Sequence, residues 1–394
     1  MARRKRLPKS RSRRGRGKLA ALFDLLCGLG AGVWFWWRDY LPPSSKVPPP
    51  RAAQAPATNR PAAAPQPARQ PTSNSIVIPP PPSNQVVPPV QAATNQVVRK
   101  ETAQAADTFP RPSRTMLEAQ IALARRGISS GSIDGVPGSQ TRAALLAFQQ
   151  QHGLVESLRL DEPTRAALTL DSAPLTDYMI TSNDLARLQP VSKTWLGKSQ
   201  QTALDYESLL ELVAEAGHAS PGLIRRLNPG IDWTQVRAET VVQLPAVEYP
   251  MRAVKAAFAV ISLGEKKLQA FDANTNLLTH FPCSIAARVE KRPAGELHVT
   301  AIAENPNYTF NPEVFPESAE ARELGRKLIL PPGPNNPVGT AWISLDLPGY
   351  GIHGTPSPEQ VGRTESHGCF RLANWNASYL VKLVWVGMPV YVEP

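Results

Sequence analysis

A proline-rich stretch divides this chain into parts that fold under different rules. Residues 41–112 consist largely of Pro, Ala, Gln, Ser, Asn and Val, and no acidic residue occurs between Tyr40 and Lys100. Such a segment cannot bury enough apolar surface to offset its conformational entropy. Proline runs such as 79–82 favour an extended, semi-rigid spacer. We therefore predict a disordered linker over residues 38–113, with folded domains after it.

Basic and then apolar residues precede this linker. Residues 1–18 contain ten Lys or Arg and no acid, which leaves only +1 of the net charge of +11 for the rest of the chain. Because these cations form one tail and are not spread over a folded face, they argue against a nucleic-acid partner. Residues 19–37 carry a single charge, Asp24, and approach the ~20 residues that a helix needs to cross a bilayer. We predict a basic cytoplasmic tail (1–18) and a transmembrane anchor (19–37), in preference to a cleaved signal peptide.

Three short helices are predicted between residues 114 and 170. Apolar residues recur at helical spacing from Leu117 to Ala124, and Ser139 or Thr141 is placed to cap a second helix. The same region contains G-x-I-D-G-x-x-G-x-x-T-x-x-A-L-x-x-F-Q-x-x-x-G-L. This pattern resembles the three-helix peptidoglycan-binding domain. The resemblance implies a small all-α fold with peptidoglycan as its partner.

A second small module is predicted over residues 176–247. A strand at 178–181 precedes a helix at 206–216 and a helix at 221–227 that Ser220 caps. The motif L-N-P-G and a final V-x-L-P strand follow. This order is similar to the LysM fold, a small α+β module that binds glycan strands. The segment 182–203 departs from that fold as an insertion, and a plain linking domain is the alternative.

The last part of the chain, residues 251–394, changes to short strands separated by turns. Strands are predicted at 257–263, 267–271, 277–283, 295–302, 342–345, 350–353 and 390–392, with a helix at 374–384. Many short strands with one or two helices indicate a mainly β domain of the sandwich or barrel type. Residues 305–336, rich in Pro and Asn, are predicted to form a lid. The chain as a whole is thus predicted to be a multidomain protein.

The residues with the clearest chemistry lie at 352–372, I-H-G-T-P-S-P-E-Q-V-G-R-T-E-S-H-G-C-F-R-L. A cysteine thiol is mostly protonated at neutral pH and needs a nearby base to act as a nucleophile. His353 can serve as that base for Cys369 once the intervening loop folds back. Gly354 and Gly368 would let the backbone approach a substrate closely. The pattern therefore predicts a cysteine acyl-transfer site.

The pattern H-G-T…S-H-G-C-hydrophobic-R resembles the signature of the L,D-transpeptidase (YkuD-type) family, which cross-links bacterial peptidoglycan. The resemblance implies that Cys369 attacks a peptide bond before a terminal D-residue of a wall stem peptide, with His353 as base and then as acid. It implies oxyanion or loop support from Gly368, His367 and Ser366, and substrate binding by Arg371 and Gly354. It implies no metal and no cofactor. With the predicted anchor, the protein would be a single-pass protein of the bacterial inner membrane that works in the periplasm or wall.

Other functions stay open at this point. Water as the acceptor would make the chain an L,D-carboxypeptidase, and an inactive C-terminal domain would leave a wall-binding protein. A metallohydrolase using His353, His367 and Cys369 is disfavoured because no H-x-x-x-H or C-x-x-C pair accompanies them. A permanent disulfide between Cys283 and Cys369 would abolish the nucleophile, so we expect both to remain thiols. The sequence does not predict an oligomeric state.

Overall fold

The structure, a computed structural model, describes residues 107–315, 317–364 and 368–394. The predicted tail and anchor, and all but the last residues of the predicted linker, lie outside this part of the chain. Within the described part, no helix is both long and apolar enough to cross a bilayer. The prediction of a transmembrane protein of the inner membrane rests on the composition of residues 19–37 alone, and it is corrected because no spanning helix is found among the described residues.

The first domain is a three-helix unit whose two ends are tied together by a short ribbon. The ribbon consists of β1 (Arg111–Pro112) and β2 (Thr169–Leu170), which pair antiparallel. The helices between them are α1 (Met116–Ala124), α2 (Ser139–Gln151) and α3 (Glu162–Ala167). The predicted three-helix fold is therefore confirmed.

The helix starts in this domain follow the available caps. The side chains of Thr115 and Asp161 accept hydrogen bonds from backbone N–H groups of the first turns of α1 and α3. Such caps satisfy donors that have no partner inside the helix. Helix α2 instead begins after Gly138 without a side-chain cap. The prediction that Ser139 or Thr141 caps it is wrong, because both residues already lie within the helix.

The second module places two paired strands around its helices. Strands β3 (Leu175–Met179) and β4 (Val241–Pro245) pair antiparallel. Between them lie α4 (Ser182–Ala186), α5 (Trp195–Ser199), α6 (Leu209–Ala216) and α7 (Pro221–Leu227). The first strand lies earlier than predicted, whereas the cap of Ser220 on α7 is confirmed. The likeness to LysM itself stays a prediction.

The third domain is built on one mixed eight-stranded sheet. The elements of the domain are β5 (Phe258–Ser262), β6 (Lys267–Phe271), β7 (Leu277–Pro282), β8 (Gly295–Glu304), β9 (Tyr308–Phe310), α8 (Ala319–Leu324), β10 (Leu328–Leu330), β11 (Ala341–Leu345), β12 (Gly351–His353), β13 (Phe370–Arg371), α9 (Asn374–Leu383) and β14 (Pro389–Glu393). The strand order in the large sheet is β13-β12-β11-β8-β14-β5-β6-β7. The pairs β12–β13 and β14–β5 are parallel, and the others are antiparallel. The predicted mainly β domain is confirmed.

The core of this domain lies beneath the strands that carry the candidate site. Ile343 of β11, Phe370 of β13 and Leu380 of α9 are all fully buried in it. Burying one such side chain stabilises a fold by roughly 1.5–3 kcal/mol. The short strands β12 and β13 are thus held in place by packing, although few backbone hydrogen bonds join them.

The lid, residues 305–336, leaves the large sheet after β8 and returns to it at β11. Its strands β9 and β10 form a separate antiparallel pair, and α8 lies between them in sequence. A short 3₁₀ turn, Pro312–Val314, precedes α8. The predicted lid is therefore a folded hairpin.

Backbone hydrogen bonds join the first domain to the large sheet of the third domain. The Ser129 N–H donates to the carbonyl of His280 at 2.8 Å, and the His280 N–H donates to the carbonyl of Gly127 at 3.0 Å. At a second point, the side-chain amide of Gln140 on α2 donates to the carbonyl of Val361. That carbonyl belongs to the loop between His353 and Cys369, so the first domain contacts the loop that carries the candidate nucleophile.

Candidate active site

The neighbouring strands β12 and β13 carry the predicted catalytic pair: His353 ends β12, and Cys369 directly precedes β13. In this parallel pair, Ile352 lies opposite Phe370, and His353 lies opposite Arg371. Ile352 and Phe370 are buried in the core, and successive strand residues point to opposite faces. Cys369 and Arg371, on either side of Phe370, therefore share the other face with His353. The register thus places the three predicted residues on one face of the sheet.

The imidazole of His353 is held in one orientation by its own neighbours. Its Nδ1 lies 2.6 Å from the carbonyl oxygen of Gly354, and its ring stacks on Trp342 with centroids 5.5 Å apart. Because a carbonyl only accepts, Nδ1 carries the proton and Nε2 keeps a lone pair. Burial lowers the pKa of His353 to about 4, and the positive charge of Arg371 acts in the same direction. At neutral pH this imidazole is neutral and able to accept a proton.

The thiol of Cys369 is partly buried directly before β13. It contacts the carbonyl of Gly349, with Sγ and O 3.4 Å apart. Burial raises the pKa of this thiol, while the Gly351 backbone N–H and the charge of Arg371 lower it. Cys283 is fully buried elsewhere in the core, and the two cysteines are not joined in a disulfide. In this structure both cysteines are present as thiols.

Arg371 supplies positive charge beside this pair. Its backbone is fixed by two hydrogen bonds with Ser284, at 3.0 Å and 2.9 Å. Burial lowers the pKa of its guanidinium, and the charge of Cys369 opposes that change. A guanidinium can bind a carboxylate through two parallel hydrogen bonds. This geometry is compatible with the predicted contact to a substrate carboxylate, which stays a prediction.

Gly354 is packed too closely to carry a side chain. A Cβ at this position would come within 2.3 Å of Oδ1 of Asn374, the first residue of α9. The amide of Asn374 in turn donates to Glu215 of α6 at 3.2 Å. The structure thus gives Gly354 the task of orienting His353 through its carbonyl, and a contact to substrate stays a prediction.

The remaining predicted residues precede the nucleophile. Gly368 lies against the ring of Tyr350, since a Cβ there would be 3.7 Å from it. The hydroxyl of Tyr350 donates to the carbonyl of Lys291 at 3.0 Å. Ser366 and His367 lie outside the described residues. The supporting roles of these three motif residues therefore stay predictions.

The arrangement can be compared with known protein families. Residues 256–392 match the family model described as "L,D-transpeptidase catalytic domain". This region is an L,D-transpeptidase catalytic domain. Residues 114–168, the three-helix unit, match the model described as "Putative peptidoglycan binding domain". Both family resemblances inferred from these two regions are confirmed, and the L,D-transpeptidase domain contains the whole His353–Cys369 face.

Two relatives extend this comparison. The chain is 25% identical over 185 residues to "Putative L,D-transpeptidase YkuD" of Bacillus licheniformis, an alignment that covers 47% of this chain and 93% of the relative. It is 36% identical over 105 residues to "Putative L,D-transpeptidase YqjB" of Bacillus subtilis, covering 25% of this chain and 51% of the relative. The second alignment thus spans only about half of that relative's length.

A solved L,D-transpeptidase from Mycobacterium smegmatis is 18% identical, with a TM-score of 0.28, over 40% of this chain and 75% of the other. This likeness is too low to carry an argument of its own.

Three residues near the L,D-transpeptidase site were missed by sequence reasoning. Trp342, which stacks on His353, lies opposite it in the β11–β12 register. Pairing the two predicted strands as a hairpin would have indicated this contact. The lid residue Tyr308 carries no local signal, because it comes from a distant part of the chain. Asn374 follows the motif closely in the chain, but its contact with Gly354 depends on how the first turn of α9 packs. Burial raises the pKa of the Tyr308 phenol to about 12, with the charge of Cys369 as a further cause.

Proposed function

We propose that this chain is a cysteine-dependent L,D-transpeptidase that acts on peptidoglycan stem peptides through a thioester. The observation that carries the proposal is the shared face of His353 and Cys369 at the ends of two neighbouring parallel strands. The carbonyl of Gly354 fixes the Nδ1–H tautomer and leaves Nε2 as the base. The match of this region to the L,D-transpeptidase catalytic domain supports the same conclusion.

In the first half-reaction, the Cys369 sulfur attacks the carbonyl carbon of the peptide bond before the terminal D-residue, and the thiol proton moves to Nε2 of His353. The negative oxygen of the tetrahedral intermediate accepts hydrogen bonds from backbone N–H groups, for which Gly368 and Cys369 are the candidates. One such donor is worth ~2.7–4 kcal/mol of transition-state stabilisation. The C–N bond then breaks, and His353 returns its proton to the departing amine. The product is a thioester on Cys369.

In the second half-reaction, an acceptor amine attacks the thioester carbon and gives a proton to Nε2 of His353. The C–S bond breaks, and the sulfur of Cys369 recovers that proton. The outcome is a new amide cross-link and a regenerated enzyme. If water takes the place of the amine, the same steps release a carboxylic acid, which is the carboxypeptidase alternative.

The electrostatics suit a proton transfer that accompanies attack. With the pKa of His353 lowered and that of Cys369 raised by burial, the resting pair is a neutral imidazole and a neutral thiol. The thiolate therefore forms only as the substrate carbonyl comes within reach. Arg371 opposes the rise in the thiol pKa, so it favours the reactive form and attracts a substrate carboxylate.

Two binding functions support this chemistry. The three-helix domain, which matches a peptidoglycan binding domain, would hold the enzyme on its polymeric substrate. The second module, whose order of elements is similar to the LysM fold, would add contact to glycan strands. Wild-type protein that binds peptidoglycan but forms no acyl-enzyme would favour the alternative of an inactive wall-binding protein.

The test is mass spectrometry of the full chain incubated with disaccharide-tetrapeptide fragments of peptidoglycan. The wild type is expected to gain an acyl group on Cys369 and to release either cross-linked dimers or trimmed tripeptides, which separates transpeptidase from carboxypeptidase. Cys369→Ala should lose both products by at least ~10³-fold. Cys283→Ala, which changes the other described thiol, is the matched control and should keep activity. Full turnover by Cys369→Ala would reject the proposal.

A further inference from the structure

The lid begins and ends beside the catalytic base. Glu304, the last residue of β8, pairs with Ala341, the first of β11. The next residue of β11, Trp342, pairs with His353. The two attachment points of the lid therefore lie at the edge of the sheet where β12 presents the imidazole. The position of the lid decides how much of that edge is covered.

A separate apolar core holds the lid, and the second module completes it. The buried members from the lid are Phe310, Ala321, Leu328 and Leu330, and those from the second module are Val191 and Leu204. Among the described residues, no strand of the eight-stranded sheet contributes to this cluster. The apolar side chains of the lid therefore pack against the insertion, residues 182–203, and against the residue that follows it, Leu204.

Trp195, the first residue of α5, lies at the centre of this contact. Its ring stacks on Phe310 with centroids 4.3 Å apart and an interplanar angle of 18°, and it lies 5.4 Å from Phe315. Beside it, the backbone N–H of Leu196 donates to a carboxylate oxygen of Glu320 on α8 at 3.0 Å. The contact therefore combines ring stacking with a hydrogen bond to the lid helix.

Backbone hydrogen bonds extend the same contact past the insertion. The N–H of Leu204 donates to the carbonyl of Pro332 at 2.8 Å, and the N–H of Asn335 donates to the carbonyl of Leu204 at 2.9 Å. The side-chain amide of Asn335 also donates to Glu211 of α6 at 2.6 Å. Both ends of the lid, the hairpin and the returning segment, are thus fixed to the second module.

Tyr308 connects this contact to the nucleophile. It lies two residues before Phe310, on the same face of β9, and its ring is 6.4 Å from that of Trp195. Its phenol is close enough to Cys369 for the charge of the thiolate to affect its pKa. The strand that Trp195 contacts therefore also carries a residue whose phenol responds to the charge of Cys369.

We propose that the insertion braces the lid and that Trp195 is a positioning residue for the transfer reaction. By stacking on Phe310 of β9, Trp195 holds the lid against the second module, and the held lid limits access to Cys369. The effect of the lid on donor binding rests on the proposed function. The contact itself is independent of any activity.

The test compares Trp195→Ala with Trp385→Ala in the full chain. Trp385 is 45% exposed, and its indole N–H donates a hydrogen bond to the carbonyl of Ala256, away from the lid. For Trp195→Ala we expect iodoacetamide to alkylate Cys369 ~10-fold faster, as measured by peptide mapping. Proteolytic cleavage within residues 305–336 should become faster by a similar factor. The KM for donor tetrapeptide should rise ~10-fold with kcat changed by less than about twofold. Trp385→Ala should leave all three at wild-type values.

Two further variants guard against a folding defect. Trp195→Phe keeps a ring on Phe310 and should restore most of the wild-type behaviour. Glu320→Ala removes only the acceptor for the Leu196 N–H and should shift alkylation and cleavage in the same direction by a smaller factor. Unchanged alkylation and cleavage in both Trp195→Ala and Glu320→Ala would overturn the proposal. A wild type without turnover would refute the proposed function instead, since alkylation and cleavage need no substrate.

Discussion

His280 is a buried base placed where the first domain joins the catalytic sheet. Its side chain is 1% exposed, and neither ring nitrogen has a hydrogen-bond partner among the described residues. Its backbone carries the hydrogen bonds to Gly127 and Ser129. Burial lowers the pKa of its imidazole to about 3. Acid should therefore destabilise this junction through one identifiable residue.

The size of the effect follows from the two pKa values. An imidazole in the unfolded chain has a pKa of ~6.5, so between that value and about 3 the unfolded state binds a proton that the folded state excludes. The free energy of unfolding is therefore unaffected by His280 above the pKa of the unfolded chain. Below that pKa it falls by ~1.4 kcal/mol for each pH unit. At a pH of about 5, His280 therefore lowers the free energy of unfolding by about 2 kcal/mol.

The variant that isolates this effect is His280→Leu. Leucine is of similar size and removes two buried nitrogens, each of which costs ~1–3 kcal/mol when left without a partner. We expect the variant to be at least as stable as the wild type at a pH of about 8 and to lose about 2 kcal/mol less than the wild type on acidification to about 5. Urea unfolding of the full chain at a series of pH values measures the difference.

The comparison cancels the other buried histidines, because His218 and His353 are present in both proteins. His152→Leu, at an exposed position, is the control for replacing a histidine by leucine. If the wild type and His280→Leu lose stability in parallel as the pH falls, then His280 is not protonated on unfolding in this range, and the reasoning fails.

Three further predictions concern the active site. Because burial lowers the pKa of His353 to about 4, kcat/KM should fall as the pH drops through about 4, whereas an acid limb near ~6.5 would contradict the assignment. Arg371→Gln should raise the pKa of the Cys369 thiol and so slow its alkylation at neutral pH by roughly three- to tenfold. Arg371→Lys keeps the positive charge and should keep most of the rate. Equal rates in the wild type and both variants would refute this role of the charge. Gly339 and Gly153 share a φ of +62°, but a Cβ on Gly339 would lie 1.9 Å from Asn374, whereas Gly153 is open. In thermal unfolding, Gly153→Ala should cost only the ~1–2 kcal/mol of left-handed strain, and Gly339→Ala should cost more and reduce activity; equal costs would count against this packing argument.

The secondary structure of the catalytic domain could be predicted where the signal is local. Alternating apolar residues gave β6 at 267–271, and the structure has it at Lys267–Phe271. Helical periodicity gave α9 to within one residue. Helix starts depend on competition among caps, and there the prediction failed: α6 begins at Leu209, later than expected, because the Ser208 side chain accepts a hydrogen bond from the Glu211 N–H.

The catalytic pair could be predicted because a thiol and an imidazole in one short motif leave few chemical options. The atom that orients His353 could not, since the Gly354 carbonyl reaches Nδ1 only through a local backbone path that the sequence does not specify. The contact of Trp195 with the lid could not be predicted from the sequence either. Trp195 and Phe310 are 115 positions apart, and only the folded chain shows that they stack.

Strand β7 is an edge strand of the large sheet, and all six of its residues are buried. The backbone of residues 127–129 shields it. An uncovered outer strand offers its free N–H and C=O groups to any other copy of the protein. A chain shortened to begin near residue 251 would expose this strand and should self-associate as its concentration rises. The catalytic unit can therefore be transplanted into a new protein only together with a segment that covers the same flank.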